Sequence, residues 1–260
     1  MITKPASSLE QTLPEGQLVN RGWLLQRGFN RPRVDYFLRA GKLESVAHGV
    51  YRRPGPHLKW EHVVYSLTEM GYPVHVGGRG ALELQGMAHY LPPGGVHRID
   101  LYSSSRVPKW VVIYPAKFRF VVHTRRLFDD LPKEAVKPKP FGSWDWPIVY
   151  AVPELAMLEL LSEVQETADF TVADKIFEAA TNFRPEILNI LLCSCSQVKA
   201  KRLFLWFSDR HGHDWRRALK TKGINLGKGK RMLVKGGVFD PIYQITIPRE
   251  MAVGSEQSIY

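Results

Sequence analysis

Four stretches of the 260-residue sequence carry side chains whose type and spacing suit chemistry. The first is HGHDW, where His211, His213 and Asp214 put two imidazoles and a carboxylate within four positions. Such a set suits metal binding or proton transfer, but a metal site draws its ligands from several elements and no further cluster is visible. Histidines at a helix end or turn are the expectation. The second is Cys193 and Cys195, two apart in an apolar, helix-like segment, so they face different ways and read as small core residues. Two cysteines are too few for a disulfide framework or a structural zinc site. The third is LGKGKR, Leu226 to Arg231, which has the composition of a phosphate loop. It lacks GxxxxGK[ST], and a strand pattern follows it instead of a helix. A basic turn that touches DNA phosphate or an acidic protein fits it better. There is no GxSxG elbow, no HExxH and no pair of carboxylates flanked by a base. No metal, no cofactor and no catalytic residue is expected, and the chain reads as a non-enzyme.

The fourth stretch is the informative one. Asn30 can cap a helix that tolerates Pro32 in its first turn. Val34, Phe37 and Leu38 then share one face. Pro32, Arg33, Tyr36 and Arg39 fall on the other, and Gly41 closes the helix before Lys42. A recognition helix needs this division, because arginine's planar fork binds guanine edges or phosphates bidentately. Residues 18–27 supply a preceding helix with Leu18, Val19, Trp23 and Leu25, stopped by Gly28. Residues 5–12 supply another, capped by Ser7 or Ser8. LESVAHGVYRRPG adds two extended runs about Ala47-His48-Gly49, with Arg52 and Arg53 on the return. The pattern is a winged helix-turn-helix over residues 1–56, bounded by Pro54-Gly55-Pro56. A helical pair and hairpin used for protein docking is the alternative.

The charge map favours nucleic acid. The net charge is +11. Residues 1–57 hold nine Lys/Arg against four Asp/Glu, and residues 199–235 hold twelve against two. Residues 58–198 hold fourteen against sixteen. Two basic blocks around a near-neutral middle point to a polyanion partner.

Residues 57–260 read as a larger mixed α/β domain, so the fold class is α+β. Helices are expected at 59–70, 79–88, 152–166, 171–180, 185–195 and 197–209. In the 152–166 helix Glu154, Glu159, Glu163 and Glu166 are expected outside. In the 197–209 helix Lys199, Lys201 and Arg202 are expected exposed. Gly77 to Gly80 make a tight turn from a short strand into a helix. LPPGG at 91–95 turns the chain, and 97–102 and 110–124 alternate like strands, with Pro115 at an edge or a break. Residues 129–147 read as a proline-rich loop that Trp144 and Trp146 pin to the core. The end, INLGKGKRMLVKGGVFDPIYQITIP, reads as strand, Gly-Gly turn, strand. Residues 1–16 lack a signal-peptide core and no apolar run reaches membrane-span length, so a cytoplasmic, non-membrane protein is expected.

The segments AGKLESVAHGVYRRPG, VHVGGRGALELQGMAHYL, VKAKRLFLWFSDRHGHDW and LGKGKRMLVKGGVFDPIYQITIP occur in that order. Together they resemble the AbiEi family of antitoxins from type IV toxin–antitoxin (abortive infection, phage defence) systems, over nearly the whole chain. The resemblance implies an autorepressor whose winged domain binds inverted repeats in double-stranded operator DNA of its own operon. It implies a C-terminal domain that counteracts a nucleotidyltransferase-like toxin, AbiEii, without a stable complex. Monomers in solution or a dimer on DNA would follow. The recognition-helix role then falls on Arg31, Arg33, Tyr36 and Arg39, with Lys42 beside them, and the wing role on Arg52 and Arg53. Charge alone assigns Lys201, Arg202, Arg216, Arg217, Lys228, Lys230 and Arg231 to a further DNA or antitoxic surface. A stand-alone winged-helix regulator with a ligand-sensing C-terminal domain is the alternative.

Overall fold

The computed structural model describes residues 8–87, 97–114, 117–124 and 126–252. Its first elements are α1 (Leu9–Thr12), β1 (Val19–Asn20), α2 (Arg21–Gln26), α3 (Arg31–Arg39), β2 (Glu44–Ala47) and β3 (Val50–Arg52). Then come α4 (Trp60–Glu69), β4 (Val74–Val76), α5 (Gly78–Leu84), β5 (His97–Ser103), α6 (Lys109–Ile113), β6 (Phe118–His123), β7 (Val136–Phe141) and β8 (Trp146–Ala151). The last are α7 (Pro153–Glu163), α8 (Thr167–Ala179), α9 (Pro185–Ser194), α10 (Val198–His211), α11 (Asp214–Ala218), β9 (Val238–Asp240) and β10 (Ile245–Ile247). The α+β class is as read from the sequence. Contacts divide the chain into two units, Met1–His75 with Val96–Thr124 and Pro138–Val149, and Val76–Gly95 with Arg125–Lys137 and Tyr150–Tyr260. Among the described residues no helix is long and apolar enough to cross a membrane.

The first unit begins with the winged element. Ser8 and Gln11 cap α1 reciprocally, while Ser7 lies outside the described residues. The next helix starts at Arg21, three residues later than the apolar pattern predicts. Asn20 is extended, and its side chain accepts from Trp23 N at 2.8 Å, which fixes the helix start. Val19 and Asn20 pair instead with Tyr51 and Val50, giving a three-stranded sheet of order β1-β3-β2. Leu9, Leu13, Val19, Trp23, Leu24, Phe29, Val34, Phe37, Leu43 and Tyr51 form one buried cluster beneath these elements.

Most residues of the five-stranded sheet, order β6-β5-β4-β8-β7, belong to the same unit. β5 and β6 run parallel, from His97 opposite Phe118 to Tyr102 opposite His123. The predicted strand 110–124 is corrected: residues 109–113 form α6, with Pro108 at its N-cap, and only 118–123 are extended. Residues 110–113, WVVI, open that stretch as a continuous apolar run, which periodicity alone cannot assign to strand or helix. Pro115 and the LPPGG turn lie outside the described residues, as does position 88 of the predicted 79–88 helix. The predicted 129–147 loop holds all of β7 and the start of β8. Pro138 and Pro140 are tolerated because β7 is the edge strand. Trp146 is buried and stacks on Tyr65 with ring centroids 4.4 Å apart, but Trp144 is 61% exposed and not pinned to the core as expected.

Asp100 on β5 is a buried carboxylate. It takes hydrogen bonds from Arg98 Nη2 at 2.6 Å and His123 Nε2 at 2.8 Å. Burial pushes the carboxyl pKa up, but the His123 and Arg98 bonds outweigh it and hold it below the usual 3.8. A pKa depressed in the folded state stabilises above the unfolded value and is lost as pH falls through the folded one. Asp100→Asn is therefore expected to lower the melting temperature at pH 7. The gap from wild type should narrow below about pH 4, and a gap that stays constant down to acid pH would contradict this account.

In the second unit α7 packs against α5, α9 and α10. It is buried on most of its surface, and this corrects the outward placement of two glutamates. Glu154 is 1% exposed and Glu159 2% exposed. Glu154 takes Arg184 Nη2 at 2.8 Å, Arg184 Nε at 2.9 Å and the Arg184 backbone N at 2.8 Å. Glu159 accepts from Gly78 N at 2.9 Å, at the start of a helix that has no side-chain cap of its own. Phe170, Phe177, Phe204 and Phe207 are fully buried between α8 and α10, with Phe177 stacked on Phe207 at 5.1 Å. Cys195 is buried as expected, but Cys193 is exposed. The closing strands are also corrected. β9 and β10 form an antiparallel hairpin entirely after Gly236-Gly237. Residues 224–235 are coil with one bridge, Arg231 to Ile245.

Candidate nucleic-acid interface

α2 and α3 are joined by a turn in which Gly28 has φ +84, a value that favours glycine. Phe29 follows, 1% exposed, and its amide donates to Leu24 O at 3.0 Å. Asn30 Oδ1 then accepts from Arg33 N at 3.1 Å and starts α3. The capped start, Pro32 in the first turn and the buried pair Val34 and Phe37 all match the sequence reading. Arg21 of α2 ties to Asp35 of α3 at 3.1 Å, a link of fourteen positions that no local pattern reveals.

With its inner face sealed, α3 turns Arg31, Tyr36 and Arg39 to solvent; Tyr36 is 54% exposed. Lys42 is exposed just beyond the helix. Arg39 Nε reaches Asp35 O at 3.3 Å, a weak tether that leaves the rest of its guanidinium open. Arg33 is half-buried, with its guanidinium 4.9 Å from the Phe29 ring centroid and 5.6 Å from that of Phe37. It extends the aromatic packing and borders the exposed face. The helix thus presents a forked donor at each end and a phenol between them.

The wing has a different character. β2 and β3 are antiparallel, with a register shift between Ser45 and Ala47, and Gly49 at φ +73 makes the turn. Arg52 is engaged by the Glu44 carboxylate and donates from Nη1 to Pro56 O at 2.9 Å. Arg53 Nη1 donates to Leu13 O at 3.3 Å and Nη2 lies 3.7 Å from Glu15. Both wing arginines are half-buried and hold the module's own backbone. The exposed residue at the wing tip is His48.

The C-terminal basic block is rearranged relative to the sequence reading. Lys201 and Arg202 were expected at the surface, yet they are 3% and 2% exposed. Arg202 donates to four backbone carbonyls, those of Leu226, Gly227, Gly229 and Gln244. Arg216 pairs with Asp209 at 2.7 Å and Arg210 with Asp174 at 2.9 Å. Arg217, Lys228, Lys230 and Arg231 are exposed, together with Lys220, Lys222 and Lys235, which the sequence reading passed over. Apart from Arg217 in α11, this open charge lies on the coil that follows, where no helical periodicity marks it.

The histidines of this stretch are held by hydrogen bonds. His211 Nε2 lies 2.8 Å from Asp174, and His213 Nε2 lies 2.7 Å from Phe177 O. Gly212, left-handed at φ 61, ends α10. Burial raises the Asp174 pKa, but hydrogen bonding to His211 and the charge of Arg210 outweigh this and leave it lowered. Among the described residues no three His, Cys, Asp or Glu side chains gather as metal ligands.

Residues 3–92 match the family described as "Transcriptional regulator, AbiEi antitoxin N-terminal domain". Residues 97–248 match "Transcriptional regulator, AbiEi antitoxin, Type IV TA system". No curated protein matches the chain. The chain is similar in fold to the crystal structure of the RV2827C protein from Mycobacterium tuberculosis, with a TM-score of 0.54 and 16% identity over 89% of this chain and 86% of that one.

Proposed function

The chain belongs to the AbiEi family of transcriptional regulators, the antitoxins of type IV toxin–antitoxin systems, and from that premise we propose that it represses its own operon and counteracts an AbiEii-type toxin. The observation that carries the DNA half is the exposed face of α3, with Arg31 and Arg39 about two turns apart over a sealed core. In this reading residues 1–56 are the winged module. Arg31, Arg33, Tyr36 and Arg39 read the major groove, and Lys42 contacts phosphate. Two copies sit on an inverted repeat, since a two-fold site is matched by a two-fold protein arrangement. Arg52 and Arg53 serve the operator indirectly, by holding the wing in shape. The exposed cations among residues 217–235 add sequence-independent affinity. The protein is non-catalytic and acts in the cytoplasm.

The test separates the two functions without cutting the chain. Leu18 N donates to Ser66 Oγ at 2.8 Å, and α4 belongs to the same unit as the winged element, so removing residues 1–56 would strip α4 of partners. Full-length protein carrying Arg31→Ala and Arg39→Ala is instead co-expressed with the toxin from the adjacent reading frame. The expected result is a derepressed promoter with growth still rescued. Loss of rescue together with repression would refute the division of labour. A neighbouring frame that encodes no toxin would favour a regulator with a ligand-sensing C-terminal domain.

A further inference from the structure

The loop Leu226–Arg231 is built around a buried cation. Arg202 reaches it from α10, donating from Nε to Leu226 O at 2.8 Å, from Nη2 to Gly227 O at 3.2 Å and from Nη1 to Gly229 O at 2.7 Å. A fourth bond, 3.2 Å long, goes to Gln244 O. Among the described residues none of these partners is a carboxylate. Gln244 itself sits at φ 52, a backbone state that a side chain other than glycine adopts at a cost. Gly227 and Gly229 have φ values of +61 and +80. Two glycines and one strained residue thus aim their carbonyls at one guanidinium.

The opposite side of the loop follows from peptide geometry. In a trans peptide the carbonyl and the next residue's N–H point in opposite directions. With the carbonyls of Gly227 and Gly229 on Arg202, the amides of Lys228 and Lys230 point away from it. Neither amide has a hydrogen-bond partner among the described residues. The side chains of Lys228, Lys230 and Arg231 are exposed around them. A Cβ on Gly229 would meet nothing within 4 Å, so that side of the loop is open space, whereas one on Gly227 would lie 2.9 Å from Val198. Beside the loop is a cleft of about 310 Å³, lined by Arg202, Lys228 and Gln244 and walled by Ile242, which is 77% exposed. The carboxylate bonded to the nearby Tyr243 hydroxyl is Asp209, which is also held by Arg216. Burial, then the charge of Arg231, lowers the pKa of the Arg202 guanidinium, as crowded cations with no anion among them require.

We propose that the Leu226–Arg231 loop binds the phosphate chain of a free nucleotide, with the outward amides and the side chains of Lys228, Lys230 and Arg231 as donors. Unbonded amides in a turn with left-handed residues can hold an anion, and phosphate oxygens accept such charge-assisted bonds readily. The cleft volume is at the lower end for small-molecule sites, and its apolar wall suits a base or sugar. A duplex presents its phosphates along a convex ridge, which a cleft receives poorly. Lys228, Lys230 and Arg231 are among the cations credited above with operator affinity, and the variants below separate the two roles.

The probe is inorganic triphosphate, followed by GTP and ATP, titrated calorimetrically into the full-length protein at low salt. Three variants are compared: Lys228→Ala with Lys230→Ala, Gly229→Val, and Lys220→Ala with Lys222→Ala. The first removes two donors. The second keeps every cation but disturbs the left-handed turn that aims the Lys230 amide. The third removes equal charge elsewhere in the block. Binding by wild type is expected, with at least a tenfold loss in the first two variants and less than a twofold change in the third. Absence of binding by wild type overturns the proposal. So does an equal loss in the third variant, which would mean diffuse attraction alone. A loop change that affects only operator affinity also overturns it and assigns the loop to DNA backbone. Thermal melts of all three variants confirm that losses are not unfolding.

Discussion

Replacing Arg31 and Arg39 together by alanine is expected to weaken operator binding by about 2–6 kcal/mol, roughly 30-fold to more than 10⁴-fold, at about 1–3 kcal/mol for each base-reading arginine. The two lie eight residues apart on α3, or about 12 Å along its axis, far enough for their losses to add. Both are exposed and neither belongs to the buried cluster, so the fold should survive and the loss should report on DNA alone. Arg33 is a poorer test residue, because its guanidinium covers Phe29 and Phe37 and its removal also disturbs packing. Lys42→Ala serves as the contrast. A phosphate contact should weaken all sequences alike and reduce the salt slope by about one. Gel shifts at fixed salt decide the matter: less than a threefold change in the double variant would remove α3 from the major groove.

The largest stability effect is expected at Glu154. Its carboxylate is 1% exposed and satisfies three donors of Arg184. Glu154→Ala leaves a cavity and strands the backbone amide and guanidinium of Arg184. Breaking a buried pair costs about 3–5 kcal/mol. The Arg184 side chain is 36% exposed, so water can take back part of it, which places the cost near the lower end, about 3 kcal/mol. At roughly 2–4 °C per kcal/mol for a chain of this size, the melting temperature should fall visibly. Glu178→Ala, at an exposed position of α8, should stay within about 0.5 kcal/mol of wild type. Equal melting temperatures for the two variants would mean that Glu154 is not the anchor described.

The contrast between Glu154 and Glu178 shows what a sequence can reveal. Helices α3, α4, α8, α9 and α10 were legible because caps and apolar spacing are local. Asn30, Phe37 and the outward Tyr36 were found this way. The inward turn of Glu154, Glu159 and Arg202 was not legible, because each meets a partner at least 24 positions away; Lys201 is buried beside Arg202 on the same helix. Arg52 and Arg53 look like DNA ligands by type, yet their bonds run to Pro56, Leu13 and Glu44. Residues 136–141 were hidden for a different reason: prolines argue against a strand until its place at a sheet edge is known. For the same reason the exposed face of the candidate interface could be read from α3, while the open cations of residues 217–235 could only be sorted from the buried ones by the fold.

The pairing of β1 with β3 has a kinetic consequence. The residues just before α2 clamp the return strand of the wing, and the Arg21–Asp35 link clamps α2 to α3. In the proposed complex, α3 and the wing would therefore meet a duplex already assembled, with no need for the described residues of the module to order themselves on contact. Preorganisation of this kind lowers the entropic penalty of association. On that proposal the protein would scan non-cognate DNA with its reading surface in place, and encounter rates should differ little between sequences. On the proposed function, discrimination would then rest on residence time: the operator would be the site that the protein is slow to leave.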